Sequence, residues 1–67
     1  MKPNRHAIRA LRKERRWSLR DVEQQTGISR GYLSRLERGH RGASPRTLKA
    51  IADIYGVSPY DLTREDT

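Results

Sequence analysis

The sequence has no cysteine and no phenylalanine. Without cysteine it can form neither a disulfide framework nor a thiolate zinc site. No stretch approaches the roughly 18 consecutive apolar residues of a membrane span. The basic N-terminus is not followed by the apolar segment of a secretory signal. A cytoplasmic chain fits these absences. Hydrophobic residues make up 33% and aromatic residues 6% of the chain. No Pro/Gly/Ser-rich linker, internal repeat or low-complexity tract divides its 67 residues. One domain over residues 1–67 is expected, with its core at about 5–63. A chain this short buries only about 60% of its unfolded surface, so modest stability follows.

What the chain has in excess is positive charge. Lys and Arg total 15 against 8 acids, a net charge of +7. The excess is uneven: residues 1–46 hold 13 basic and 4 acidic side chains, whereas residues 47–67 hold 2 and 4. A basic first part and a mildly acidic end suit a polyanion bound on one side. The alternative is a solvated surface kept basic for solubility. Arg outnumbers Lys 12 to 3, which reflects either a GC-rich genome or a surface that favours the planar fork suited to phosphates and guanine.

The chain is organised around Ser18 to Gly39. Ser18 and Asp21 have the spacing of a capping box, and Trp17 with Val22 that of a hydrophobic staple. A helix begins there and stops at Gly27, where the missing Cβ permits a left-handed residue. Ser29 caps the next helix, with Ile28, Leu33 and Leu36 inward and Arg30, Gly31, Ser34, Arg35 and Arg38 outward; Gly39 ends it. Trp17 is read as a core plug at the corner before this pair.

Elsewhere, Asn4 caps a first helix to about Arg15, with Ala7, Ile8 and Leu11 as its apolar stripe. Lys13, Glu14, Arg15 and Arg16 are expected to face water or phosphate. Ser44 and Pro45 start a fourth helix, in which Leu48, Ile51, Ala52 and Tyr55 form a buried stripe. Gly56 closes it. Ser58, Pro59 and Asp61, with a Val57/Leu62 staple, start a fifth helix of one or two turns, after which Arg64 to Thr67 should fray. The expected class is all-α, a compact bundle of five short helices and no strand.

The segments LRKERRWSLRDVEQQTGISRGYLSRLERG and SPRTLKAIADIYGVSPYDL resemble the lambda-repressor/Cro-like (xenobiotic-response-element type) helix-turn-helix domain. The resemblance covers roughly residues 5–63. It implies a five-helix bundle whose second and third helices form the helix-turn-helix, with the third in the major groove of double-stranded DNA. It puts the base-reading positions on Arg30, Gly31, Ser34 and Arg35. Phosphate positions fall near Arg20 and Ser29, on Arg38 and in the loop after it. Arg12 and Glu37 match a pair that, in many relatives, forms a buried ion pair between the first and third helices. Two departures stand out. Glu23 occupies a place usually held by a small Ala, and must tilt outward or pair with a neighbouring cation. Gly31 presents no side chain where a polar base reader is common.

Arginine can donate two parallel bonds to O6 and N7 of guanine, a contact that discriminates by about 1–3 kcal/mol. Arg35 is the leading candidate for such a reader; Arg30 is divided between a base and a phosphate. Ser34 permits close approach to a thymine methyl. Phosphate contacts, which set register rather than sequence, are expected from Arg20, Ser29, Tyr32, Arg38, His40 and Arg41. Tyr32 would lie flat at the edge and offer its hydroxyl. Lys2, Arg5 and Arg9 form an arm or side wall, or in the case of Lys2 simply a solvated end.

Nothing points to catalysis, a cofactor or a metal. The only histidines, His6 and His40, lie in different elements, and Asp21, Glu23 and Glu37 are explained as capping and scaffold groups. Metal ligands would have to cluster. The expected function is a sequence-specific transcriptional regulator, a repressor of phage or mobile-element type. The alternatives are an antitoxin that binds a protein toxin and its own operator, and a general nucleic-acid binder driven by charge. A toxin-gripping segment would extend beyond the fifth helix, and the chain ends about four residues after it. Tight binding normally needs two copies on a palindrome. Weak pairing through Tyr55 and Tyr60 on the last two helices would supply the second copy; the alternatives are binding as a monomer, pairing only on DNA, or belonging to something longer.

Overall fold

Every element begins on a short polar side chain that accepts a backbone N–H left unpaired by the helix. In a computed structural model, residues 3–63 are described; the expectations for Lys2 and for Arg64 to Thr67 lie outside them. Four α-helices follow in order: α1 (Arg5–Glu14), α2 (Leu19–Thr26), α3 (Arg30–Glu37) and α4 (Pro45–Tyr55). Their caps are Asn4, Ser18, Ser29 and Ser44. At α2 the box is reciprocal: Ser18 Oγ accepts the Asp21 N–H at 3.1 Å, and Asp21 accepts the Ser18 N–H at 2.8 Å.

The fifth element differs from expectation. Pro59–Leu62 is a four-residue 3-10 turn, not an α-helix. The sequence supplies Ser58, Pro59 and Asp61 as a well-formed entry, including the reciprocal box. Yet four residues are too few for the five-residue α ladder, and the chain closes with three-residue bonds. Asp61 N–H donates to the Ser58 carbonyl at 2.9 Å and Thr63 N–H to the Tyr60 carbonyl at 3.0 Å. The all-helical class is unaffected.

The helices stop by a shared device. After α1, the Trp17 N–H reaches back to the Arg12 carbonyl at 3.2 Å; after α3, the His40 N–H reaches Arg35 at 2.8 Å. Such a closure requires a left-handed residue. Glycine serves after α3 (Gly39, φ 78°), but after α1 the position is held by Arg16 at φ 58°. A side chain there carries a backbone cost of about 1–2 kcal/mol.

The apolar stripes meet in one core. Ile8, Val22, Leu33, Leu36, Leu48, Ile51, Ala52, Tyr55 and Leu62 are all buried. Leu11, Trp17, Leu19 and Ile28 pack at its edge. Trp17 is thus half-buried rather than a plug. Its ring stacks on Tyr55, with centroids 5.6 Å apart. Tyr55 is only 4% exposed, against 67% for Tyr60. The expected surface pairing through Tyr55 is therefore ruled out: its ring already belongs to the core. The ends of the fold are joined where the Asn4 N–H donates to the Leu62 carbonyl at 2.6 Å.

One charged group enters this interior. Arg12, 8% exposed, lays its fork on Glu37: Nε to Oε2 and Nη2 to Oε1, each 2.8 Å. Its remaining Nη1 donates to the Trp17 carbonyl at 2.9 Å. These hydrogen bonds to Glu37 raise the Arg12 pKa above its ordinary value, against the opposing effect of burial. The pair ties α1 to α3 and, through Trp17, to the entry of α2.

Removing one member of such a pair leaves the other charge buried and unpaired. Glu37→Gln should lower the unfolding free energy by about 3–5 kcal/mol in urea titrations, and joint Arg12→Met, Glu37→Leu replacement should recover much of it. A single variant as stable as the parent would exclude a structural role for the pair.

Burial, with the Glu37 charge second, pushes the Tyr55 hydroxyl up to about 12. The unfolded phenol ionises near 10. A group with a raised folded-state pKa adds stability that is full below the unfolded value and disappears as pH rises through the folded one. Stability should therefore fall between about pH 10 and 12, by about 2 kcal/mol in all, and Tyr55→Phe should flatten that loss.

Candidate nucleic-acid interface

The outer face of α3 is defined by what its inner face buries. Leu33 and Leu36 are 2% and 0% exposed, which turns Arg30, Gly31, Ser34, Arg35 and Arg38 away from the core. On a helix, residues three and four apart are neighbours, so 30/34/38 and 31/35 make two adjacent rows. Arg30, Gly31, Arg35 and Arg38 are exposed and Ser34 is half-buried. The result is a narrow strip: two small residues in the middle, guanidinium groups on either side.

Gly31 has no structural reason to be glycine. A Cβ there would meet nothing within 4 Å, and the backbone is helical. Within a helix, glycine is about 1 kcal/mol less favourable than alanine.

Glu23 takes the second of the two courses left to it, pairing with a cation. Its Oε2 accepts the Arg30 backbone N–H at 3.0 Å, and its Oε1 lies 3.1 Å from Arg30 Nε. The side chain thus caps α3 and holds the head of the helix's first residue.

Several side chains lie elsewhere than the sequence suggested. The Tyr32 hydroxyl donates its proton to the Gly42 carbonyl at 2.6 Å, so that proton is directed at the loop and not at a phosphate. Arg41 stands over the Tyr32 ring, 5.4 Å from its centroid. Together they pin the α3–α4 loop. Arg5, read as part of an arm or side wall, instead donates to the Arg38 carbonyl at 2.9 Å, supplying a cation at the α3 C-terminus. Gly39 makes room for it: a Cβ there would sit 2.9 Å from Arg5 Cδ. Arg15, expected to face water or phosphate, lies 5.8 and 5.1 Å from the Trp17 and Tyr55 ring centroids. It also donates to the Tyr55 carbonyl at 2.8 Å. Sequence reasoning missed these because a long cation finds its acceptor across the fold, beyond any local spacing.

The remaining candidates flank the strip. Arg20 is exposed on the first turn of α2, and His40 is exposed in the loop after α3. Ser29 accepts the Tyr32 N–H at 3.2 Å, which leaves its own hydroxyl proton free to donate. A shallow cleft lined by Ile28, Ser29, Tyr32, Ser44 and Thr47 runs between the starts of α3 and α4. Arg9 is exposed on α1. Among the described residues there is no group of three or more His, Cys, Asp or Glu able to hold a metal ion. No helix among them is long and apolar enough to cross a membrane.

Residues 8–62 match the helix-turn-helix family. The HTH-type transcriptional regulator DdrOP3 of Deinococcus deserti is 44% identical over 55 residues, 82% of this chain and 43% of that protein. The immunity repressor protein of Bacillus phage phi105 is 33% identical over 60 residues, 90% of this chain and 42% of the repressor. The chain therefore spans less than half the length of these relatives. Among solved structures, the biofilm regulator SinR in complex with DNA superposes with a TM-score of 0.79 at 28% identity, over 85% of this chain and 95% of that one. The restriction-modification controller protein C.AhdI of Aeromonas hydrophila shares the fold, with a TM-score of 0.80 at 24% identity over 85% and 86% of the two chains.

Gly31→Ala should raise the unfolding free energy by about 0.5–1 kcal/mol while weakening binding to a preferred duplex. A variant both stabler and equally tight would show that nothing approaches the backbone there.

Proposed function

The chain belongs to the helix-turn-helix family, and from that premise we propose that it is a sequence-specific double-stranded DNA-binding transcriptional regulator acting as a repressor. It works on the nucleoid, in the cytoplasm. The observation that carries this reading is the strip on α3. Exposed Arg30, Arg35 and Arg38 border Gly31 and Ser34 on a helix whose opposite side is anchored in the core. A protruding rod with small residues at its crest and cations beside it suits the major groove, which is about 12 Å wide.

Within that reading, Arg35 donates in parallel to O6 and N7 of a guanine. Ser34 and Gly31 let the helix approach base edges and a thymine methyl. Arg38, Arg20, Ser29, His40 and Arg41 meet phosphates and set the register. The Tyr32 bond to Gly42 holds the loop at the height of the backbone, and Arg41 supplies the charge from above its ring. Arg12 and Glu37 touch no DNA and keep α3 from rolling.

One such module buries only about 600–1,000 Å² on a duplex, so two copies on a palindrome about one helical turn apart are proposed. The relatives described above bear regulator and repressor names, which supports regulation over partnership with a toxin. A charge-only binder would need no small residues along the crest.

Selection of bound sequences from a random duplex library should yield a motif with two-fold symmetry; recovery of random sequence would refute the reading. Arg35→Ala should relax preference at one base pair and cost about 1–3 kcal/mol on the selected site. An equal loss on random duplex would exclude base reading. Arg38→Ala should weaken all duplexes alike and flatten the slope of log K against log salt by about 0.9, and an unchanged slope would exclude a phosphate contact.

A further inference from the structure

We infer that Glu23 is a positioning residue that fixes Arg30 as a base-reading group and withholds it from the phosphate backbone. The inference rests on the reading of α3 as the groove-entering helix.

The geometry is two-handed. One carboxylate oxygen holds the backbone of Arg30 through its N–H at 3.0 Å. The other forms an ion pair with the same residue's guanidinium, 3.1 Å from its Nε. A simple cap needs only the first bond and leaves its second oxygen to water. Here both close on one residue, so the side chain leaves the helix in a fixed direction.

A guanidinium carries five N–H donors in a rigid fork. Glu23 occupies Nε. Among the described residues the two Nη groups meet no other acceptor. Those terminal nitrogens form the edge that pairs with O6 and N7 of guanine. Flexibility is the usual weakness of an arginine reader, and a carboxylate on Nε removes much of it.

The electrostatics argue the same way. A carboxylate seated on the first N–H of α3 occupies a donor that a phosphate could otherwise take, which leaves the Ser29 hydroxyl for the phosphate and disfavours a second one beside Arg30. The Arg30–Glu23 pair is neutral as a unit, so it adds little to binding driven by charge. Its side chains are 58% and 34% exposed in the free chain. Covering them with a duplex removes water and strengthens the attraction between them. Arg30 therefore contributes to discrimination, while Arg38, which makes no ion pair among the described residues, contributes to general affinity.

The test starts from the motif selected by the parent chain. Binding is measured to that duplex, to each single-base variant of it and to random duplex, for the parent, Glu23→Gln, Glu23→Ala, Arg30→Ala and Glu23→Ala with Arg30→Ala. Both Glu23 variants should reduce preference at one base pair about fivefold, the same base pair at which Arg30→Ala abolishes it. Random duplex should be bound as well or better, with a steeper salt slope as the freed Arg30 finds a phosphate. With Arg30 already replaced, loss of Glu23 should change no base preference. Equal weakening on every duplex, or an unaltered preference and slope, would overturn the inference.

Glu23→Gln keeps an oxygen for the Arg30 N–H, which separates loss of the pair from loss of the cap. A DNA-free readout adds an independent arm: the Arg30 Nε–H resonance should be slow to exchange with solvent in the parent and fast in Glu23→Gln. Equal exchange would overturn the inference even with folding intact. A parent chain that selects no motif would overturn the groove reading together with this inference. A motif indifferent to Glu23 would overturn the inference alone.

Discussion

Three hydrogen bonds from one guanidinium set the geometry of this protein. Arg12 holds Glu37 with two and the Trp17 carbonyl with the third, joining α1, the entry of α2 and the last turn of α3 at one point. Apolar contacts between helices tolerate sliding, since one methyl group packs much like another. A bidentate fork does not, because both bonds fail together when either helix turns. The core supplies the driving force for assembly, and the fork selects one arrangement from the several that a small core would accept.

That division explains what the sequence made legible. Caps act within four residues of chain, so Asn4, Ser18, Ser29, Ser44 and Ser58 could be read directly, and each accepts a backbone N–H in the structure. The stripe Leu48, Ile51, Ala52, Tyr55 was equally plain, because burial follows helical spacing. The Pro59 turn was read correctly at its entry and wrongly in its type, since an N-cap says where a helix begins and nothing about how far it runs. Arg5, Arg15 and the Tyr32 hydroxyl were harder still. Their acceptors lie 33, 40 and 10 residues away, and no local pattern encodes that distance.

The candidate interface was legible in outline for a related reason. Leu33 and Leu36 fix the inward side of α3, and the outward side follows by subtraction. What the letters could not show is how the cations divide between tasks. Arg5 and Arg15 turn back onto carbonyls at helix ends, and Arg12 is interior. A count of positive charge thus overstates the number of groups free to meet a polyanion. The remaining ones, Arg20, Arg35, Arg38 and Arg41 among them, are exposed on or beside the helix-turn-helix. Glu23 shows the converse, an acid inside the basic half whose presence looked anomalous until its partner was seen.

The burial of the Arg12–Glu37 fork, 10% and 8% exposed, has a further consequence for how the molecule tolerates its surroundings. Mobile ions cannot crowd around charges that water itself barely reaches, whereas they surround the open cations of α3 freely. If α3 holds a polyanion as proposed, raising ionic strength strips it away long before it loosens the scaffold. Under the proposed function, dissociation and unfolding would be separate events, and the same folded copy could let go of one duplex and engage the next without rebuilding itself.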